Sequence, residues 1–443
     1  MNRFGAGLRA TALVLAAAPL FAACSSMLDD QTVGTSPPPT AFTQYAAIGT
    51  SLSAGFESGG INDSTQREGP VYQLALGMGL TPGVNWFYPS FQSFGCPAPY
   101  LNPLTGSRVG GVPATFCGTR AASSARRFMN NVAIPGLRAI QALDLGQIPT
   151  SADTLKLAQF ITGGINPMNM VIAQHPTFVT VEVGANDVLA AATRGDTSFL
   201  TPAATFSAIL GQIRDSLDAI GGSLQGVAIA NVPNVTVIPH FTRASVLFCL
   251  KTGACPGVPA TLPYSSPLFT VDASCAPNLA GGIGDTYLLT LSATANITGV
   301  LAASRAAKVD CVRDSALVAA PPPAAASPAV APAGATINAT EYATIAGRVA
   351  SFNAAIAALA TAEGWALADL NAALAGQAAN IPAIPNFANQ LALFACPNAG
   401  CPTGTATLFS QDGVHPSKAG YRIMAQTFAT AINAKYSTTI AVP

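Results

Sequence analysis

The 443-residue sequence is half hydrophobic, has only 9% charged residues and carries no formal net charge at pH 7. Without an excess of basic residues to hold a phosphate backbone, nucleic acid is not an expected partner. Alanine supplies much of the hydrophobic share, so that share does not by itself predict a membrane-embedded protein. Length alone would suggest two or three domains.

The first 23 residues have the pattern of a signal peptide. Arg3 and Arg9 precede an apolar run at 10–22, which is too short to span a bilayer core about 30 Å thick. The sequence FAACSS around Cys24 resembles the processing site of bacterial lipoproteins, whose cysteine becomes the acylated N-terminus. This resemblance implies lipidation at Cys24 and an extracytoplasmic protein tethered to a membrane, and the serine that follows implies the outer membrane. An ordinary signal peptide with a chance cysteine is the alternative.

The remaining cysteines suit disulfide bonding in an exported protein. Nine cysteines less Cys24 leave an even eight, which can pair in many ways. Sequential pairing is the prediction, because two of the pairs enclose very short loops rich in proline and glycine. No C-x-x-C pair occurs and the three histidines are scattered, so no metal site is expected. The eight are Cys96, Cys117, Cys249, Cys255, Cys275, Cys311, Cys396 and Cys401.

Strand and helix patterns alternate along the chain after a flexible tether at 24–42 that contains three consecutive prolines. Segment 81–120 interrupts the pattern and is predicted to be irregular and pinned by a disulfide. The alternation predicts an α/β fold with a parallel sheet covered on both faces. The predicted strands are 45–48, 178–183, 224–230 and 364–370, with a short strand and turn at 131–136, and the predicted helices are 71–79, 137–145, 205–220, 345–363 and 414–435.

Residues 241–340 differ from the rest of the chain. They contain four cysteines and a low-complexity run of alanine and proline at 319–335. Such a run cannot bury a core and is predicted to be an exposed loop. We interpret the whole stretch as an insertion in one catalytic domain, which either shapes substrate access or is a tolerated surface elaboration.

Five residues at predicted turns have side chains or amides suited to acyl transfer. Ser51 lies in a turn of small residues after the first strand, and Asp412 and His415 form a D-x-x-H turn. A serine nucleophile needs a neutral imidazole to take its proton and a carboxylate to orient that imidazole. Donors for a developing oxyanion could be the amides of Ser51 and Gly136 and the Asn186 side chain.

Each of these residues also has a purely structural alternative. Ser51 could be a helix N-cap, and Asn186 could form a turn after its strand. Asp412 could be a turn former, His415 could cap the last helix, and Gly136 could simply bend the chain. No G-x-S-x-G sequence occurs, which argues against an α/β-hydrolase fold.

The segments GTSLSAG, NVAIPG, GAND and DGVHP, in this order, resemble the four sequence blocks of the GDSL or SGNH hydrolase superfamily. The resemblance implies a three-layer α/β/α sandwich with a central parallel sheet, and it gives the five residues the roles just described. Thr50 stands where the GDSL signature has aspartate, which leaves the triad intact but changes hydrogen bonding in the first block. The resemblance spans 43–436, interrupted by the insertion, and leaves a tail at 437–443.

The resemblance implies a serine hydrolase of carboxylic esters that uses a Ser-His-Asp triad and requires no cofactor. Its expected substrates are small-molecule, lipid or glycan esters, and its other expected partner is the membrane that holds the lipid anchor. The alternatives are a carbohydrate O-acetyl esterase and a non-catalytic surface lipoprotein that retains the fold. A monomer is expected. His175 and His240 are predicted to be loop residues without chemistry.

Overall fold

The computed structural model describes residues 40–121, 128–149, 153–313, 315–319, 328–330, 336–388, 393–394 and 407–443. The signal peptide, Cys24, most of the tether and the Cys396–Cys401 pair lie outside the described residues. The named strands and helices below therefore belong to the described ranges only.

The strands are short, and most have two to four residues. They are β1 (Tyr45–Ile48), β2 (Tyr100–Asn102), β3 (Ser107–Arg108), β4 (Phe178–Val181), β5 (Gly226–Ala230), β6 (Phe241–Arg243), β7 (Phe269–Val271), β8 (Leu288–Thr290), β9 (Ala307–Asp310), β10 (Ser315–Ala319), β11 (Pro328–Val330), β12 (Thr336–Ile337) and β13 (Ala366–Ala368).

The α-helices range from one turn to seven turns. They are α1 (Ser51–Ala54), α2 (Asp63–Glu68), α3 (Pro70–Gly77), α4 (Asp153–Thr162), α5 (Pro167–Ile172), α6 (Asn186–Arg194), α7 (Ala203–Asp218), α8 (Ala244–Thr252), α9 (Leu291–Ala302), α10 (Ala339–Glu363), α11 (Leu370–Gly376) and α12 (Lys418–Tyr436).

A sheet of four parallel strands, in the order β1-β4-β5-β13, organises the chain. The chain at Asn131 adds to the β1 edge in parallel, and the Val132 amide donates to the Ala47 carbonyl at 3.0 Å. Ser51 follows β1 and Asn186 follows β4, so both lie at the carboxyl ends of adjacent strands. With the Asn131 segment outside β1, the strand order reverses at β1, and parallel sheets bind ligands at the carboxyl edge next to such a reversal.

Each face of the sheet has its own hydrophobic core, because successive strand side chains point to opposite faces. Ile48 and Val181 pack with α4, α5, α6, α7 and α10 on one face, where the rings of Phe206 and Phe352 stack 3.8 Å apart. Phe178 packs with α3 and α12 on the other face. The predicted α/β fold with a parallel sheet is confirmed.

Helix α10 is long and apolar enough to cross a membrane by length and composition alone, and it is the one such helix in the described ranges. Its Ile345, Val349 and Phe352 side chains are buried in the core on one face of the parallel sheet. One face of α10 therefore packs into that core.

Residues 241–340 contain a third core, formed around Leu247, Phe269 and Tyr287. Two small sheets belong to it, with strand orders β12-β8-β6 and β11-β10-β9-β7. The prediction that 319–335 is an exposed loop is wrong in part, because β11 within that run pairs antiparallel with β10. The stretch is therefore a substructure with its own packed interior.

Three disulfide bonds confirm the sequential pairing of six cysteines. Disulfides persist in oxidising compartments, so these bonds favour a location outside the cytoplasm. The bonds are Cys96–Cys117, Cys249–Cys255 and Cys275–Cys311.

Two predicted helices differ from the structure, one in helix type and one in its first residue. The helix predicted at 137–145 is wrong: two 3-10 turns, Ala139–Ala142 and Leu145–Gln147, occupy that stretch. The Ala139 amide donates to the Asp187 carboxylate at 2.9 Å, a partner from outside the segment. The last helix begins at Lys418 rather than 414, because residues 409–416 form a closed turn.

Candidate active site

Ser51 is the first residue of α1 and follows β1 after a tight turn. Thr50 has extended backbone angles and caps the helix, since its side chain accepts from the Leu52 amide. A side chain on Gly49 would place Cβ 2.3 Å from the Ser53 hydroxyl oxygen, so the turn requires glycine there. Thr50 is thus the N-cap, which leaves the Ser51 hydroxyl free of that structural role.

His415 joins Ser51 to Asp412 through two hydrogen bonds. Its Nε2 lies 2.9 Å from the Ser51 hydroxyl oxygen, and its Nδ1 lies 2.8 Å from an Asp412 carboxylate oxygen. An ionised carboxylate only accepts, so the imidazole proton belongs on Nδ1 and Nε2 accepts from the Ser51 hydroxyl. The imidazole is therefore placed to take the Ser51 proton.

Asp412 is a half-buried carboxylate surrounded by donors. One oxygen accepts from the Gly59 amide at 2.7 Å, and the other accepts from the Val414 and His415 amides at 2.9 Å each. Burial alone would raise the pKa of Asp412, but attraction to His415 and these hydrogen bonds together lower it well below its usual range. Asp412 therefore stays ionised and keeps orienting the imidazole.

His240 holds the other side of the Asp412 turn. Its amide donates to the Gly413 carbonyl at 2.8 Å, and its Nδ1 lies 3.2 Å from the Asp412 carbonyl oxygen. Burial lowers the pKa of His240, so the ring is neutral and Nδ1–H can donate. The prediction of a loop residue without a role overlooked this contact. Nothing in the local sequence around His240 signals it.

The predicted oxyanion donors come from two segments that touch. The Ile134 amide donates to the Gly49 carbonyl at 3.0 Å, which places the Gly136 turn beside the Ser51 turn. The Asn186 side-chain amide donates to the Leu137 carbonyl at 2.9 Å and retains a second hydrogen. Among the described residues, the Ser51 and Gly136 amides donate to no acceptor, so both are available to a ligand.

Asp187 fixes the segment that follows Gly136. Only 1% of its surface is exposed, and it accepts from the Ala139 amide at 2.9 Å and the Thr201 hydroxyl at 2.7 Å. Burial raises the pKa of Asp187, against the effect of these hydrogen bonds and of nearby Arg138. Asp187 thus fixes the loop that contains the Leu137 carbonyl, which accepts from the side chain of the adjacent Asn186.

Glu182 lies beneath the Ser51 turn, and the sequence analysis missed it. Its carboxylate is 3% exposed and accepts from the Thr50 amide and hydroxyl at 2.9 Å and from the Ser53 hydroxyl at 3.1 Å. Burial raises the pKa of Glu182, and these hydrogen bonds oppose that shift. An acid inside a strand predicted to be fully buried was the available signal, because buried carboxylates require partners.

Two acidic residues, Glu57 and Glu68, lie near Asp412. Glu57 and Glu68 line a polar cavity of about 710 Å³ together with Lys418. Burial, followed by repulsion from Glu68 and Asp412, raises the pKa of Glu57 to about 8, so this carboxyl is protonated at neutral pH. No group of three or more His, Cys, Asp or Glu side chains suited to a metal ion occurs in the described ranges.

An apolar groove opens on Ser51 and His415. It encloses about 830 Å³ including its open mouth. Its walls come from the turn after β5, from α11 and from α12, with the side chains of Val235, Ile238, Leu370, Leu374, Ile423 and Met424. A reacting group on Ser51 would therefore have a continuous hydrophobic surface next to it.

Replacing Glu182 by glutamine tests whether this carboxylate positions Ser51. Four donor groups of Thr50 and Ser53 point at it, and an amide cannot accept from all of them. Glu182→Gln should lower the rate of Ser51 modification by a fluorophosphonate roughly 10–100-fold, as expected for a misplaced reacting group.

Tyr45→Phe is the matched control for Glu182→Gln. It removes a buried 2.8 Å hydrogen bond to Thr180 between the same two strands, away from the Ser51 turn. It should cost about 1 kcal/mol of stability and leave the labelling rate of the folded protein unchanged. Equal labelling by the Glu182→Gln variant and the wild type would show that Glu182 does not position Ser51.

Glu57→Gln tests the buried acid through the pH dependence of stability. The folded protein holds a proton on Glu57 up to pH about 8, whereas an unfolded glutamate loses it near about 4.3. Between these values wild-type stability falls as pH rises, since the folded state binds more protons.

The Glu57→Gln variant lacks that titration. Its free energy of unfolding should therefore decline less between about pH 5 and pH 8, by up to about 1.4 kcal/mol per pH unit. Urea unfolding at both pH values measures the difference, with Asp153→Asn on an exposed side chain as control. Parallel pH profiles for the variant and the wild type would contradict the raised pKa.

Comparison with known proteins gives no relative for this chain. No family model, no curated protein and no solved structure matches it significantly. The chain's own geometry joins a hydroxyl, an imidazole and a carboxylate by hydrogen bonds of 2.9 and 2.8 Å.

Proposed function

We propose that this chain is a serine esterase of the SGNH type. The observation that carries the proposal is the relay of two hydrogen bonds from Ser51 through His415 to Asp412 at the carboxyl edge of a parallel sheet. Ser51 is the nucleophile, His415 is the general base and then the general acid, and Asp412 orients the imidazole.

The reaction proceeds in two balanced halves. In the first, the Ser51 oxygen attacks the ester carbonyl carbon while its proton passes to Nε2 of His415, which then gives that proton to the departing alcohol. In the second, water attacks the acyl-enzyme, His415 takes a proton from the water, and the acid leaves as Ser51 recovers that proton. One ester and one water yield one acid and one alcohol.

The oxyanion of each tetrahedral intermediate needs donors that are already in place. We assign this role to the amides of Ser51 and Gly136 and to the free side-chain hydrogen of Asn186. The Leu137 carbonyl orients the Asn186 amide, so little reorganisation is needed as charge develops. This preorganisation is the largest contribution to catalysis that such a site can make.

The family assignment belongs to the same proposal. Four motifs occur in SGNH order, and helices on both faces of the sheet suit a three-layer α/β/α sandwich. Thr50 departs from the GDSL signature. In this chain the Thr50 hydroxyl donates a hydrogen bond to the carboxylate of Glu182, which follows β4. An acidic side chain therefore still holds the GTSLSAG segment in place.

We also propose that the enzyme is a lipid-anchored protein of a bacterial outer membrane. The cysteine context at Cys24 and the three disulfides support export. A non-catalytic surface lipoprotein is the rival from another class, and it predicts an unreactive Ser51. A carbohydrate O-acetyl esterase is the rival within the same chemistry.

Labelling with a fluorophosphonate tests the nucleophile directly. A single adduct should form, and peptide mass spectrometry should place it on Ser51, because among the described residues only this hydroxyl has an imidazole at hydrogen-bond distance. Ser51→Ala should abolish labelling and ester hydrolysis with an unchanged circular dichroism spectrum. Ser351→Ala, on the exposed side of α10, is the control. A folded wild type that takes no label supports the non-catalytic rival.

Asn186→Ala tests the oxyanion assignment. Loss of one preorganised donor should lower kcat by on the order of 10²–10³ with a much smaller change in KM. Asn296→Ala, on an exposed position of α9, should leave both constants unchanged. Steady-state kinetics on one activated ester measures both variants, and an unaltered kcat for Asn186→Ala would remove this side chain from the oxyanion hole.

A further inference from the structure

The groove beside Ser51 has almost no means of binding a polar substrate group. Its polar lining consists of Ser51, His415, Asn186 and Gln377. The first three have roles in the proposed reaction, so Gln377 alone remains to hydrogen-bond the rest of a substrate. A sugar ring needs several such partners, because each buried hydroxyl without one is costly.

We propose that this groove binds the acyl chain of the substrate, and that the preferred substrates are esters of medium-chain fatty acids rather than acetylated glycans. This inference rests on the proposed esterase function and specifies its substrate class. The apolar lining continues from Ser51 along α11 and α12, whereas an acetyl group would place only one methyl there. A lining of this composition binds ligands mainly through apolar contact.

The acyl group is the part of the substrate that remains at Ser51 through both halves of the reaction. The alcohol leaves after the first half, but the acyl group stays bonded to the Ser51 oxygen until water attacks. A hydrophobic wall beginning at Ser51 therefore stabilises the acyl-enzyme and both transition states around it. Binding energy from such a remote chain contributes to the rate only if it is present in the transition state.

The residues that define this groove belong to the sheet domain and not to the insertion. Two of its helical walls are α12 and α11, and Ala373 and Leu374 of α11 face it. A second, more polar cleft adjoins it, shares Ile238 and Leu374, and is lined on its far side by Phe241 and Arg243 of the insertion. Acyl-chain selection is thus assigned to α11 and the turn after β5.

Two graded ester series test the proposal on the wild-type protein. In p-nitrophenyl esters from acetate to dodecanoate, kcat/KM should rise about fourfold per methylene and then level off when the groove is full. In acetate esters of alcohols from ethanol to octanol, kcat/KM should change little. A flat acyl series, an optimum at acetate, or a rise confined to the alcohol series would overturn the proposal.

A pair of adjacent substitutions on α11 locates the effect. Ala373→Phe fills the groove and should lower the octanoate-to-acetate ratio of kcat/KM by at least tenfold, a loss of two or more methylene contacts. Ala372→Phe puts the same ring on the exposed side of α11 and should leave that ratio unchanged. Equal ratios for the two variants would contradict the assignment of this groove.

The outcomes separate the two proposals. Fluorophosphonate labelling of Ser51 together with hydrolysis that favours acetylated xylan over octanoate would keep the esterase and overturn the acyl-chain inference. A folded protein that neither takes the label nor hydrolyses any ester overturns both. A rise with acyl length in the wild type that Ala373→Phe removes supports both.

Discussion

The proposed function depends on a hydrogen bond between Ser51 and His415, which are 364 positions apart in the sequence. Ser51 and His415 meet because β1 ends at the same sheet edge against which the 409–416 turn packs. Neither side chain would be reactive in its own segment, since a serine hydroxyl needs an adjacent base. The sheet therefore brings the turns that contain Ser51 and His415 together at one edge.

Buried polar groups hold both ends of this relay in place. On the Ser51 side, the Glu182 carboxylate accepts hydrogen bonds from Thr50 and Ser53. On the His415 side, the Asp412 carboxylate accepts from the amides of Gly59 and Val414. A buried carboxylate without partners would be strongly unfavourable, so each one specifies the local arrangement of donors. Burying these carboxylates lowers the stability of the fold. The hydrogen bonds that offset this loss also fix the positions of the donors around the site.

Local sequence patterns were sufficient for part of this structure. The strand Tyr45–Ile48 was predicted at its observed bounds, because a short apolar run followed by small residues has few alternatives. The Asp412 and His415 pair was identifiable because both residues lie in one turn. Glu182 and His240 were not identified, since their partners are distant in the sequence. The first 3-10 turn after Gly136 was missed for the same reason, because the distant Asp187 carboxylate accepts from its Ala139 amide.

The most direct measurement is a crystal structure of the phosphonate adduct on Ser51. Its phosphoryl oxygen mimics the oxyanion, and the account predicts that it lies about 2.7–3.1 Å from the Ser51 and Gly136 amides and from the Asn186 side chain. The alkyl group of the inhibitor should lie in the groove along α11. A phosphoryl oxygen facing solvent, or a His415 ring turned away from the Ser51 oxygen, would contradict the account.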